Sequence, residues 1–131
     1  MIELILAAAL AQGQMAPAPE PAWRHVARND EGEAWVDPGS LRRTGDTFEI
    51  VWRAVFYEAK ANGMLSGITR SWFDCTHRLV AMRHYTSFDA RGAVLGDRDA
   101  YGAPSQPHPI SDGSVYAGIL RLYCPPPTPA R

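Results

Sequence analysis

The sequence has little of what nucleic-acid binding or membrane spanning requires. Lys60 is its only lysine, and its 13 basic residues, nearly all arginine, are balanced by 14 acidic residues. The basic residues are scattered along the chain, whereas a nucleic-acid binder usually shows a basic stripe or patch, so we expect no nucleic-acid partner. The apolar run Ile2–Ala11 is shorter than the roughly 20 residues that a membrane-spanning helix needs, and no other segment comes closer.

Sequence motifs of catalysis and cofactor binding are also missing. The chain contains neither the nucleophile elbow Gly-x-Ser-x-Gly nor the phosphate loop Gly-x-x-x-x-Gly-Lys. Its two cysteines and four histidines lack the spacing of a zinc site. We therefore expect no metal, no cofactor and no catalytic residue. The catalytic alternative is a hydrolase whose site is assembled from dispersed residues, for example His84 with Asp99.

The N-terminus has features of a secretion signal. Ile2–Ala11 is almost entirely apolar, and Ala9-Leu10-Ala11 fits the small-x-small pattern of a cleavage site. Because Glu3 lies in this region and no lysine or arginine does, an ordinary buried helix is the alternative. Met15–Ala22 alternates proline with alanine, which is typical of a linker. We assign residues 1–22 to a signal peptide and linker, 23–124 to one domain and 125–131 to a proline-rich, flexible tail.

Hydrophobic periodicity predicts an α+β fold, with about five to six antiparallel strands packed against a C-terminal helix. Phe48–Tyr57 alternates between an apolar and a mixed face, as a half-buried strand does. Asp37–Leu41 predicts a tight turn or a single helical turn, and Gly96–Gly113, which contains three prolines, predicts irregular backbone. Ser114 suits the cap of a helix that ends at Tyr123. The remaining predicted strands are 23–28, 33–36, 68–75, 79–88 and 93–95.

The two cysteines lie at the ends of predicted elements. Cys75 ends a strand, and Cys124 ends the helix. In an exported chain such a pair favours a disulfide, whereas in a cytosolic chain it would be two buried thiols. A bond would pin the helix to the sheet and close a loop of about 50 residues, which is worth roughly 4 kcal/mol in the chain-entropy model.

Aromatic residues indicate where a binding surface could lie. Tryptophan and tyrosine dominate the energetics of protein interfaces, so those that the fold leaves exposed are candidates for contact with a partner. The candidate binding residues are Trp35, Tyr57, Trp72, Tyr85 and Tyr101.

Several short motifs follow one another in a definite order. They are Trp23, Ala34–Gly45 with its Asp-Pro-Gly-Ser-Leu, Val51–Arg53, Phe73–Arg78, Tyr85, Asp89–Gly92, Ser114 and Cys124. This order resembles the surface-adhesin protein E domain of bacterial envelope proteins, over about residues 23–124. The resemblance implies an antiparallel sheet packed on a helix, a bond between Cys75 and Cys124, and export from the cytoplasm. It brings no catalytic residues with it.

The predicted function is that of a periplasmic, secreted or cell-surface binding module with a protein partner and without enzyme activity. The resemblance also implies the properties of the family's namesake, an outer-membrane lipoprotein that binds host matrix and serum proteins. Because no cysteine follows the apolar N-terminus, we expect no lipid anchor here. The alternative is a small-ligand carrier of the cell envelope, which would need a hollow between helix and sheet.

Overall fold

One antiparallel sheet and one helix make up the computed structural model, which describes residues 21–99 and 106–126. Strands β1 to β6 lie side by side in chain order, and β7 pairs with β5 on the same edge as β6. Within the described residues the sheet has seven strands, where about five to six were predicted, and the predicted fold class is confirmed. The elements are β1 (Arg24–Arg28), β2 (Gly32–Thr44), β3 (Thr47–Phe56), β4 (Ser66–Asp74), β5 (Leu79–Phe88), β6 (Val94–Asp99), β7 (His108–Pro109) and α1 (Val115–Tyr123).

Tight turns connect the first strands. The side-chain oxygen of Asn29 accepts hydrogen bonds from the amides of Glu31 (2.8 Å) and Gly32 (3.1 Å), and so closes the turn between β1 and β2. Gly45 lies between β2 and β3 at a φ of 60°, a conformation that residues with side chains rarely adopt. Asparagine and glycine are residue types that tight turns favour, and they lie where the chain reverses.

The predicted turn at Asp37–Leu41 is wrong, because β2 runs through it as a bulged strand. The pairing of β2 with β3 shifts register between Asp37 and Arg42. At this bulge the Ser40 hydroxyl accepts a hydrogen bond from the Val51 amide (2.8 Å) and donates one to the Asp37 carbonyl (2.7 Å). The serine side chain therefore supplies the acceptor that the irregular backbone does not, and the strand continues.

The predicted irregular stretch Gly96–Gly113 is also partly wrong. Strand β6 continues to Asp99, and His108–Pro109 pairs with the first residues of β5. Proline is compatible with this position because β7 is an edge strand, whose outer side needs no donor. The next residue, Ile110, is only 8% exposed and belongs to the core, so its burial holds the segment against the sheet.

Helix α1 covers one face of the sheet, as predicted. The Ser114 hydroxyl caps it by accepting a hydrogen bond from the Ala117 amide at 3.2 Å. The disulfide between Cys75 and Cys124 is present, with Cα atoms 5.6 Å apart, and ties the end of α1 to the end of β4. Of the two alternatives for the cysteines, the bonded form is therefore confirmed. The buried core between helix and sheet contains Val36, Phe48, Ile50, Phe73, Val80, Ile110, Ala117, Ile119 and Leu120.

Candidate interaction surface

The sheet face opposite α1 carries no helix in the described part of the chain, and we call it the open face. Residues directly opposite each other on antiparallel strands point to the same side of the sheet. The observed register therefore defines a row of open-face residues that crosses six strands. The row consists of His25, Trp35, Arg53, Ile68, Thr86 and Asp97.

Arginine and tryptophan side chains stack on the open face. The guanidinium carbon of Arg53 lies 5.5 Å from the ring centre of Trp35 and 6.0 Å from that of Trp23. On the far side of the face, Arg83 lies 5.7 Å above the ring of Trp72. The three indole rings are partly buried rather than hidden. The face thus presents flat apolar surfaces, each next to a positive charge.

Ion pairs flank these stacks. The Oε1 atom of Glu33 lies 3.3 Å from His25 Nε2 and 3.7 Å from Arg28 Nε. The ring of His25 also meets Trp35 edge-on, with centres 5.6 Å apart. These contacts fix the orientation of the Trp35 indole and place both charge signs around it.

His84, the histidine of the hydrolase alternative, contacts two polar side chains through one ring nitrogen. The Nε2 atom of His84 lies 2.8 Å from Asp97 Oδ1 and 3.3 Å from the Thr86 hydroxyl. Carboxylate and hydroxyl therefore approach the same ring nitrogen, whereas a nucleophile–histidine–carboxylate relay uses both nitrogens. Asp99 is opposite His84 in the strand register, but its side chain lies outside the described part of the structure. Among the described residues, no three potential metal ligands cluster together.

The five predicted binding residues do not form one site. Trp35 and Trp72 share the open face. Tyr57 follows the end of β3 and is 54% exposed, beside a hollow that includes Lys60. Tyr85 lies on the helix-covered face, and Tyr101 lies outside the described residues. Of the predicted binding residues, two therefore lie on the open face, and Tyr57 and Tyr85 lie elsewhere.

The arginines of the open face were not predicted from the sequence. The pattern that could have identified them is the alternation of side chains along a strand, which places Arg53 on the mixed face of β3. Its neighbours depend on the register between strands, including the irregularities between His25 and Ala27 and between Arg70 and Ser71.

A hollow lies on the other face of the sheet, beside α1. Its volume is about 320 Å³. This is the helix–sheet hollow that the small-ligand alternative requires. Its lining consists of Trp52, Thr69, Ser71, Val80, Met82, Tyr85, Arg98, His108 and Tyr116.

A comparison with protein families finds a match over most of the chain. The family described as surface-adhesin protein E matches residues 23–125. Among curated proteins, none matches the chain. Within the described ranges, no helix is both long and apolar enough to cross a membrane.

Proposed function

The chain belongs to the surface-adhesin protein E family, and from this we propose that it is an exported, non-catalytic module that binds a protein partner on its open face. Membership of this family points to adhesion or binding at the cell surface and to a protein without enzyme activity. The observation that carries the proposal is the pair of arginine–tryptophan stacks on the open face.

The composition of the open face is that of a protein interface. Tryptophan and arginine are the residues most enriched among those that contribute most to protein binding. An arginine stacked on an indole loses little further freedom when it binds, because its position is already fixed. The stacked pairs Arg53–Trp35 and Arg83–Trp72 are therefore prepared for contact without rearrangement.

The charge of the stacks defines the partner's chemistry. Guanidinium groups pair with carboxylates through two parallel hydrogen bonds, and a neighbouring indole excludes water from such a pair. The partner is accordingly a protein surface that presents carboxylates among apolar side chains.

The proposed location is outside the cytoplasm. The disulfide between Cys75 and Cys124 supports it, because such bonds persist in oxidising compartments and are rare in the cytosol. The secretion signal assigned to residues 1–22 belongs to this proposal and lies outside the described residues.

Photo-cross-linking in intact cells tests the interface. We expect Trp72→p-benzoylphenylalanine to give adducts with another protein, since position 72 belongs to one of the two stacks of the proposed contact. The variant Leu122→p-benzoylphenylalanine is the matched control, because Leu122 is 37% exposed on α1, away from the open face. The additional change Arg53→Glu reverses a stacked charge and should reduce the adducts by about tenfold.

A second control separates charge from position. Arg121→Glu reverses an exposed charge on α1 and should leave the adducts at position 72 unchanged. Equal cross-linking at positions 72 and 122, or adducts that survive Arg53→Glu, would contradict the proposed surface. An adduct of twice the chain's own mass would replace the foreign partner with a second copy of the chain.

A further inference from the structure

The hollow beside α1 is built from one row of residues across four strands. Trp52, Thr69, Tyr85 and Arg98 are opposite one another in β3, β4, β5 and β6. They lie on the helix-covered face, and the first turn of α1 forms the opposite wall through Tyr116. The register of the sheet therefore places two aromatic rings and a guanidinium around one cavity, with a third ring on the helix. This site lies on the side of the sheet opposite the proposed protein interface and is independent of it.

Two rings form a fixed corner in this hollow. The rings of Trp52 and Tyr116 are 5.6 Å apart at 84°, an edge-to-face contact. The Trp52 indole donates a hydrogen bond to the Ser71 hydroxyl at 2.9 Å, which holds its orientation. Burial raises the pKa of Tyr116, so its phenol stays neutral across the physiological range. A flat ring can thus stack on one wall while its edge meets the other.

The opposite side of the hollow is also ordered. The Tyr85 hydroxyl lies 2.6 Å from the sulfur of Met64, and the Tyr85 ring lies over Gly67, where an added Cβ would come within 3.3 Å of it. The Tyr85 ring is therefore held at both its hydroxyl and its edge.

A positive charge lies at the edge of the hollow. Arg98 is one of its lining residues, and among the described residues no aspartate or glutamate lines it. Among the described residues, no carboxylate pairs with the Arg98 guanidinium. A cation at the rim of an apolar cavity is the arrangement that holds a carboxylate whose hydrocarbon part is buried.

We propose that this hollow binds a small aromatic carboxylate, with its ring against Trp52 and Tyr116 and its carboxylate on Arg98. The size of the cavity limits the ligand. Since a water molecule occupies about 30 Å³ of liquid, a space of about 320 Å³ holds on the order of ten non-hydrogen atoms. The ligand therefore has a single ring or two fused rings.

Calorimetric titration of the full oxidised chain tests this site, with 2-naphthoate as the probe and uncharged 2-naphthamide as its comparison. We expect saturable binding of 2-naphthoate with a dissociation constant below about 1 mM. The affinity for 2-naphthamide should be about tenfold weaker, because the neutral amide cannot form an ion pair with the guanidinium. Arg98→Ala should weaken the binding of 2-naphthoate by the same factor and leave the affinity for 2-naphthamide unchanged.

Two further variants complete the test. Arg91→Ala removes an exposed arginine from the turn before β6 and should not change either affinity. Arg53→Glu alters the open face only, so its effect on protein binding is separable from binding at the hollow. The absence of saturable 2-naphthoate binding, or equal effects of Arg98→Ala and Arg91→Ala, would overturn the proposal.

Discussion

Asp74 is held in its charged form by the turn that follows β4. One carboxylate oxygen accepts a hydrogen bond from the His77 amide at 3.1 Å, and the other lies 2.9 Å from the His77 ring nitrogen Nδ1. The backbone hydrogen bond lowers the pKa of Asp74 below its ordinary value of 3.8; burial opposes this shift, and the His77 ring adds to it. The turn beside the disulfide therefore depends on an ionised aspartate.

This dependence predicts how Asp74→Asn responds to pH. A carboxyl group with a lowered folded-state pKa stabilises the protein above its unfolded pKa, and the contribution is lost as the pH falls through the folded value. We expect the substitution to reduce the free energy of unfolding near neutral pH by about 0.5–1 kcal/mol. The reduction should disappear at pH values below the folded pKa.

Urea unfolding at a series of pH values measures this effect. Asp112→Asn is the control, because the Asp112 side chain is 99% exposed and pairs with the Arg78 side chain at the surface. A loss of stability that is the same at every pH would show that the charge of Asp74 plays no part.

The sequence identifies candidate residues better than it identifies sites. Trp35 and Trp72 were named from residue type alone, and the structure places both on the open face. Tyr85 was named on the same ground and lies on the opposite face. The difference depends on the register between strands, which irregularities in pairing shift by one residue, and a one-residue shift changes the face of every residue beyond it.

At the scale of elements, α1 approaches β1 closely at a glycine. A Cβ added to Gly118 would lie 3.0 Å from a methyl group of Val26. Alanine normally stabilises a helix by about 1 kcal/mol relative to glycine. Here the crowded contact with β1 opposes that gain.

Two substitutions together isolate the contact. We expect Gly118→Ala alone not to raise the free energy of unfolding, or to reduce it, since the added methyl crowds Val26. In a Val26→Ala background, the same change should raise it by about 1 kcal/mol, because the methyl then has space. Thermal or urea unfolding of the four proteins gives the coupling energy. Equal effects in both backgrounds would mean that the helix shifts freely over the strand.

The elements themselves were largely predictable where periodicity is strong. The bounds of β5 and the cap of α1 were predicted as observed. The bulge after Asp37 was not, because Asp-Pro-Gly-Ser is also a turn signal, whereas here Ser40 bonds to β3 and the pairing of β2 with β3 resumes beyond it. The pairing of His108 with Val80 was missed for a similar reason, since it depends on the burial of Ile110 against distant residues.

At the scale of the whole molecule, the disulfide is a large contribution to stability that can be removed by reduction. It joins residues separated by 49 positions, a loop for which the chain-entropy model gives about 4 kcal/mol. We expect reduction to lower the free energy of unfolding by about this amount. That is a large part of the total for a small domain, which is usually about 5–15 kcal/mol.

Denaturation with and without dithiothreitol measures this contribution. The double variant Cys75→Ser with Cys124→Ser should resemble the reduced protein and respond no further to the reagent. A melting temperature that dithiothreitol leaves unchanged, with reduction verified by thiol titration, would show that packing alone holds α1 on the sheet.

The meander has a consequence for how the chain assembles. Each strand from β2 to β6 pairs with the one synthesised just before it, so hairpins can form progressively from the N-terminal side. The apolar side that carries Phe48 and Phe73 stays exposed to water until α1, which follows all the described strands in the chain, packs on it. The disulfide between Cys75 and Cys124 can thus form only after all the described strands have been made, when an oxidant of the compartment accepts the two electrons of the thiol pair, and it then holds α1 on the completed sheet. Until α1 packs on the sheet, the exposed apolar surface makes the chain most prone to aggregate with other chains.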